Sequence, residues 1–343
     1  LFIALTMLDG GATADIFEQR ELSAPYLCYV TQELTGRGEG MRYWTGYRYT
    51  PRAMAVLVRA RELSETVQPD ERALLVAILE EGDNSPADIY YGQDAGALGA
   101  LARAGRLSPL PEDALNLVEP RFRSPEGLWV GTSGRARVVI YNTASLTESD
   151  LPDDIFGFCD ARWQGRLGWA PTNGSFQAFI TAMRVLEGEA RTREWLTCMQ
   201  ANEPLVFPGN APIVQAVAAG EIEAGFVNHY YLFGFLKDNP AYPARNYHFR
   251  AGDTGAMINV AGVGIVNTSD NKEAAQAFVR FLLRQSSQQY FNTQTNEYPL
   301  AAPNVELNPL LVPLSQLQTP QIDLTNLENL DGTLQLLQEL GIL

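Results

Sequence analysis

The chain has 343 residues, a length that suits two domains, and its 46% hydrophobic and 10% aromatic content is enough to bury a core. With 40 acidic residues against 25 basic ones the formal net charge is −15. That balance excludes the basic surface on which a nucleic-acid or anionic-membrane binder depends. Two histidines, His229 and His248, and three cysteines, Cys28, Cys159 and Cys198, form no CxxC or HExxH spacing, which excludes structural zinc and zincin chemistry. The odd cysteine count predicts no disulfide framework.

The opening LFIALTMLDGGATA has a short apolar run and a small-residue exit at Ala12-Thr13-Ala14, but no basic start and an interrupting Asp9. It reads either as the stump of a secretory signal or as an ordinary apolar segment, and the expectation is a signal peptide absent or truncated here. No apolar stretch approaches the ~20 residues of a membrane span. Met41–Arg61 holds five arginines and no acidic residue, and is read as a poorly matched segment rather than as an anion patch. From Asp70 the punctuation is clear. Asp70 is placed to cap a helix over Glu71–Glu81, closed by Gly82. Ala87–Tyr91 reads as a buried strand, and Asp94 caps a helix over Ala95–Arg103. Leu128–Val130 and Arg137–Tyr141 read as two strands. Phe176–Leu186 reads as a helix stopped by Gly188. Asn210 is assigned as the cap of a helix through Ala219, stopped by Gly220, with Glu221–Val227 the next strand. Asp270 and Glu273 start a helix running to about Gln285, and a short one spans Gly332–Leu340. Strands alternating with helices predict an α/β architecture.

Enzyme signatures fail in turn. Gly131-Thr132-Ser133-Gly134 is not G-x-S-x-G, Gly262-Val263-Gly264 lacks the third glycine of a dinucleotide fingerprint, and there is no P-loop. Two places remain. Pro171-Thr172-Asn173-Gly174-Ser175-Phe176 is a turn opening into a helix, whose free N–H groups and positive dipole end suit an anion. Asn228-His229-Tyr230-Tyr231 follows a buried strand, at the carboxyl end where open α/β sheets place ligands. Two phenols reach one point if a helix begins there, and phenolate is a hard donor suited to a hard, highly charged cation. Aromatic packing is the plain alternative. Arg135, at the mouth of the strand Val138–Tyr141, has the fork geometry for a small oxyanion; Tyr141 ends that strand as a packing residue.

The segments EEGDNSPADIYYGQDAGALGAL, SGRARVVIYNT, GWAPTNGSFQAF, NAPIVQAVAAGE, NHYYL, GVGIVNTSDNKEAAQAFVRFLL and NEYPL, in this order, resemble the ferric-ion-binding proteins that serve bacterial ABC importers. The resemblance covers roughly Asp70 to Leu343. It implies a two-lobed periplasmic-binding-protein fold of type II-like α/β design, with hinge strands and the metal in the inter-lobe cleft. The lobes would be residues 1–137 plus 258–295, and 138–257 plus 296–343. It implies Tyr230 and Tyr231 as Fe(III) ligands. A carbonate or phosphate would be held by Asn173, Gly174, Ser175, Asn210 and Asn228, with Arg135 matching a carbonate-binding arginine. Possible first-lobe contacts are Gln93, Asp94, Tyr47, Tyr49 and Tyr141. Phe176 stands where some members carry a third tyrosine, and Gln93 where others carry glutamate. The expected protein is a non-enzymatic, extracytoplasmic monomer, soluble or lipid-anchored, that captures ferric iron and delivers it to an inner-membrane permease without any nucleic-acid partner. The alternatives are a small-oxyanion or polyamine binder, or an α/β hydrolase.

Overall fold

The computed structural model describes residues 3–5, 71–302 and 304–343. Asp70, Met41–Arg61 with Tyr47 and Tyr49, and the opening segment apart from Ile3–Leu5 lie outside the described residues. The described chain divides into two units. The first holds the described residues up to Gly134, with Val260–Leu307 and Asp323–Thr325; the second holds Arg135–Asn259, Asn308–Ile322 and Asn326–Leu343.

In the first unit, β1 (Ile3–Leu5) pairs antiparallel with β2 (Ile89–Gly92), and β2 pairs antiparallel with β9 (Ile258–Val266), whose far end also pairs with β3 (Leu107–Ser108). Helix α1 (Glu71–Glu81) precedes this sheet, and α2 (Ala95–Arg103) opens at Asp94, whose carboxylate accepts from the Gly96 N–H. Helices α3 (Glu112–Leu115), α8 (Lys272–Leu283) and α9 (Gln285–Thr293) complete the unit. The short β10 (Tyr298–Pro299) pairs with Gly134 and Ser133 of β4 (Trp129–Asn142).

Strand β4 runs on into the second unit, where β7 (Ala224–Asn228) and β8 (Ala244–Tyr247) both pair with it antiparallel. Beyond β7 come β5 (Leu167–Trp169) and the two-residue β6 (Leu205–Val206), both parallel to it. Each of these three parallel strands leads at its carboxyl end into a helix. The helices after β5 are α4 (Gly174–Glu187) and α5 (Glu189–Ala201), the one after β6 is α6 (Asn210–Ala219), and the one after β7 is α7 (Tyr231–Asp238). The last helix, α10 (Leu330–Glu339), packs on α4, with Thr181 and Thr333 hydroxyls 2.8 Å apart. The core between β7 and the helices is aromatic. Phe158, Trp195 and Phe226 are buried and meet edge to face.

Four expectations are corrected. The two strands read at Leu128–Val130 and Arg137–Tyr141 are one 14-residue strand, buried throughout. The polar run between them stays extended because its side chains find buried partners, Thr132 on the Ala261 carbonyl at 3.1 Å and Ser133 on the Glu297 carboxylate. Asn210 is the first residue of α6 and not its cap, a place taken by Gly209. The helix expected from Asp270 starts at Lys272 with no side-chain cap, stops at Leu283, and a second helix follows it. Cys159 and Cys198 form a disulfide, with Cα atoms 5.3 Å apart, tying the segment before β5 to α5. The spacing of 39 residues hid the pair, and an odd count excludes a fully paired framework rather than any single bond.

Candidate anion and metal site

The carboxyl ends of β5, β6 and β7 lie side by side, and helix–strand packing brings their turns together. Gly225 of β7 makes this close: a Cβ there would stand 2.3 Å from Cγ2 of Ile213 on α6. With α6 so near, the Asn210 side chain reaches the start of the neighbouring turn, and its Oδ1 accepts the Asn228 N–H at 3.1 Å. Asn173 caps α4. Its Oδ1 accepts from the Ser175 N–H at 3.1 Å, the Ser175 hydroxyl at 2.6 Å and Asn210 Nδ2 at 3.1 Å. Gly174 is exposed at the first helical position, with open space where a side chain would be. One cradle thus joins Asn173, Gly174, Ser175, Asn210 and Asn228 at the N-terminus of α4, where backbone donors and the helix dipole favour negative charge.

Beneath the cradle lies Arg137, which sequence reasoning missed. It enters from β4, is only 4% exposed, and directs one terminal nitrogen toward Ser175 Oγ, Asn210 Oδ1 and Asn228 Oδ1 at 3.3–3.4 Å. The other donates to the Phe226 carbonyl at 2.9 Å. The rings of Phe179 and Phe176 flank the guanidinium at 5.4 and 5.9 Å. Burial pushes its pKa down to about 9, and the phenols of Tyr230 and Tyr231 pull it back up. Among the described residues no carboxylate forms an ion pair with it. A buried cation without a carboxylate raises the local positive potential and favours an anion beside it.

The turn after β7 brings the tandem tyrosines together as the sequence suggests. Tyr230 has helical backbone angles and α7 starts at Tyr231, and the two rings lie side by side, with centroids 4.6 Å apart and planes 31° from parallel. Both are half-buried. The Tyr230 hydroxyl accepts from Asn228 Nδ2 at 3.3 Å, which links the phenol pair to the anion cradle. Among the described residues no three His, Cys, Asp or Glu side chains gather to hold a metal ion, so the hard donors gathered beside the cradle are phenols.

Residues 84–319 match the family model described as bacterial extracellular solute-binding protein. The chain belongs to this family. This solute-binding protein is 34% identical over 275 residues to the major ferric iron-binding protein of Neisseria meningitidis serogroup A, covering 77% of this chain and 81% of that one. It is similar to the iron-bound HitA structure from Pseudomonas aeruginosa, at 32% identity, a TM-score of 0.73, and coverage of 80% and 89%. It is similar as well to the Trichodesmium protein IdiA/FutA in complex with iron and citrate, at 27% identity, a TM-score of 0.71, and coverage of 80% and 89%. These neighbours bear out the α/β fold of two-lobed periplasmic ferric-binding proteins expected from the sequence.

The other expected residues have these places in the solute-binding protein. Arg135 lies inside β4, not at a strand mouth, two residues from Arg137. Tyr141 belongs to the second unit rather than the first lobe, where it is buried in β4 opposite Ala224. Gln93 and Asp94 lie in the turn between β2 and α2 of the first unit, where Asp94 serves as the helix cap. Phe176 is fully buried against Trp169 and Phe179. The signal that would have found Arg137 is the period of a strand: in Arg135-Ala136-Arg137 the alternate residues share a face, so either arginine could lie under the cradle.

Proposed function

We propose that this chain is an extracytoplasmic ferric-ion-binding protein that takes up Fe(III) together with an oxyanion and hands it to an inner-membrane ABC permease. The observation that carries this reading is the pairing of two neighbouring phenols with an anion cradle built over a buried arginine that has no carboxylate partner among the described residues. A ferric ion, two phenolates and the Arg137 guanidinium sum to a net dipositive charge, and a dianionic oxyanion such as carbonate or phosphate in the cradle neutralises it. Phenolate oxygens suit this hard cation, and the cation in turn favours loss of the phenol protons. Tyr230 and Tyr231 are the proposed ligands. Asn173, Gly174, Ser175, Asn210 and Asn228 hold the anion, with Arg137 beneath them and Arg135 as a further anion contact.

The named relatives support the cargo, since each is described as ferric-binding or holds iron in its solved structure. The Cys159–Cys198 disulfide supports an oxidising compartment outside the cytoplasm. A binder of oxyanion alone would leave the aligned phenols without a role. Addition of ferric citrate to the iron-free protein tests the reading: phenolate-to-iron charge transfer gives a visible band that saturates at one ferric ion per chain. A colourless protein under the same titration contradicts it.

A further inference from the structure

We infer that His229 is a positioning residue that aligns the two phenols by closing the last rung of the β4–β7 ladder with its imidazole. The regular pairing of these strands ends at Arg137 opposite Asn228. On the next pair the His229 N–H donates to the Ala136 carbonyl at 3.0 Å, as a strand would. The Ala136 N–H is received by His229 Nδ1 at 3.1 Å instead of by a backbone carbonyl. The side chain therefore stands in for the backbone, and the His229 carbonyl is released to accept from Asn246 Nδ2 of β8 at 2.8 Å.

That substitution has a geometric consequence. A backbone carbonyl in the rung would keep the chain extended for another residue, and adjacent residues of a strand point to opposite faces. With the imidazole in the rung the chain turns at once: Tyr230 is helical at φ −71° and ψ −20°, and the two phenol rings lie side by side with centroids 4.6 Å apart. The imidazole is fully buried, and its ring meets Tyr230 and Phe233 edge to face at 5.4 and 5.9 Å. Its position is thus fixed on one side by β4 and on the other by the rings of Tyr230 and Phe233. Ala136 lies between Arg135 and Arg137, so the same rung sets the phenols against the strand that carries the buried cation.

This inference rests on the ferric reading, and two variants separate the acceptor from the ring. In His229→Asn, Oδ1 lies the same number of bonds from the backbone as Nδ1 and keeps the rung while losing the ring. In His229→Phe the ring remains and the acceptor is gone. Ferric affinity is read by competition with citrate, the charge-transfer band by visible absorption, and folding by circular dichroism and thermal melting of the iron-free forms. The expected result is an Asn variant close to wild type in affinity and band position. The Phe variant is expected to lose on the order of 10- to 100-fold in affinity, the usual cost of removing a group that orients a ligand, with a shifted band. Equal losses in the two variants, a greater loss in Asn, or a Phe variant matching wild type would overturn the role. If His229→Phe does not fold, the Asn variant decides alone: a folded Asn variant that loses iron as Tyr230→Phe does overturns it. A wild-type protein that forms no coloured complex sinks the ferric reading itself, whereas a coloured wild type matched by the Phe variant sinks this inference only.

Discussion

Two strand-to-helix turns of this molecule look alike in sequence and differ in what they can hold. In the first unit β2 passes through Gln93 to Asp94, which caps α2; in the second, β5 passes through Pro171 and Thr172 to Asn173, which caps α4. Both caps accept from the backbone N–H two residues on. The Asp94 cap brings a carboxylate to the helix terminus, so the positive end of the dipole already has its counter-charge. The Asn173 cap is neutral, is shared with Asn210, and has Arg137 buried behind the residues it touches. A helix N-terminus becomes an anion site when the cap leaves the dipole unanswered and a buried cation adds to it.

The largest effect that can break this contrast lies at the phenols. Tyr230→Phe and Tyr231→Phe each delete one anionic oxygen and almost no volume. Each is expected to weaken ferric binding by more than the ~100-fold typical of groups that merely orient a ligand, with the fold unchanged by circular dichroism. Next comes Arg137→Met, which keeps the stem and removes the charge. Loss of a charged hydrogen-bonding group of this kind costs about 1.5–3 kcal/mol, which should appear as weaker ferric binding in both phosphate and carbonate buffers. Arg137→Lys should not restore it, because a point charge cannot meet three oxygens and a carbonyl at once. If Arg137→Met binds as wild type, the buried cation has no part in the site.

Much of this was legible in the sequence, for a physical reason. The cap at Asp94, the turn at Asn173–Ser175 that opens α4, the stop at Gly188 and the helix start after Asn228 are local, fixed by dihedral preference and side-chain-to-backbone bonds within a few residues. What escaped is non-local. Arg137 is singled out over Arg135 only by the register of β4 against β7 and by the approach of α4 and α6. The continuity of β4 rests on Ala261 and Glu297, far along the chain. Asn210 sits one place inside its helix because its side chain is engaged across the site rather than with its own backbone. The Cys159–Cys198 bond depends on where α5 folds back.

Smaller effects sharpen the contrast. Arg135→Ala should loosen iron more in carbonate than in phosphate, since a guanidinium fork suits a planar oxyanion; equal losses in the two buffers would give it a purely structural role in β4. Asp94→Ala should cost about 1 kcal/mol of stability through the lost cap, read as a lower melting temperature. Ferric affinity should stay within about threefold, less than ~1 kcal/mol. A loss comparable to that of Tyr231→Phe would instead make Asp94 a ligand and dissolve the distinction between the two turns.

The central claim, that the phenols after β7 hold ferric iron over the Arg137 cradle, is tested most directly by the resonance Raman spectrum of the iron-loaded protein. Excitation within the charge-transfer band is expected to enhance tyrosinate ring modes in the wild type, and the Tyr230→Phe, Tyr231→Phe double variant is expected to lose both band and modes. Ferric-loaded wild type without tyrosinate modes, or modes that persist in the double variant, would contradict the account.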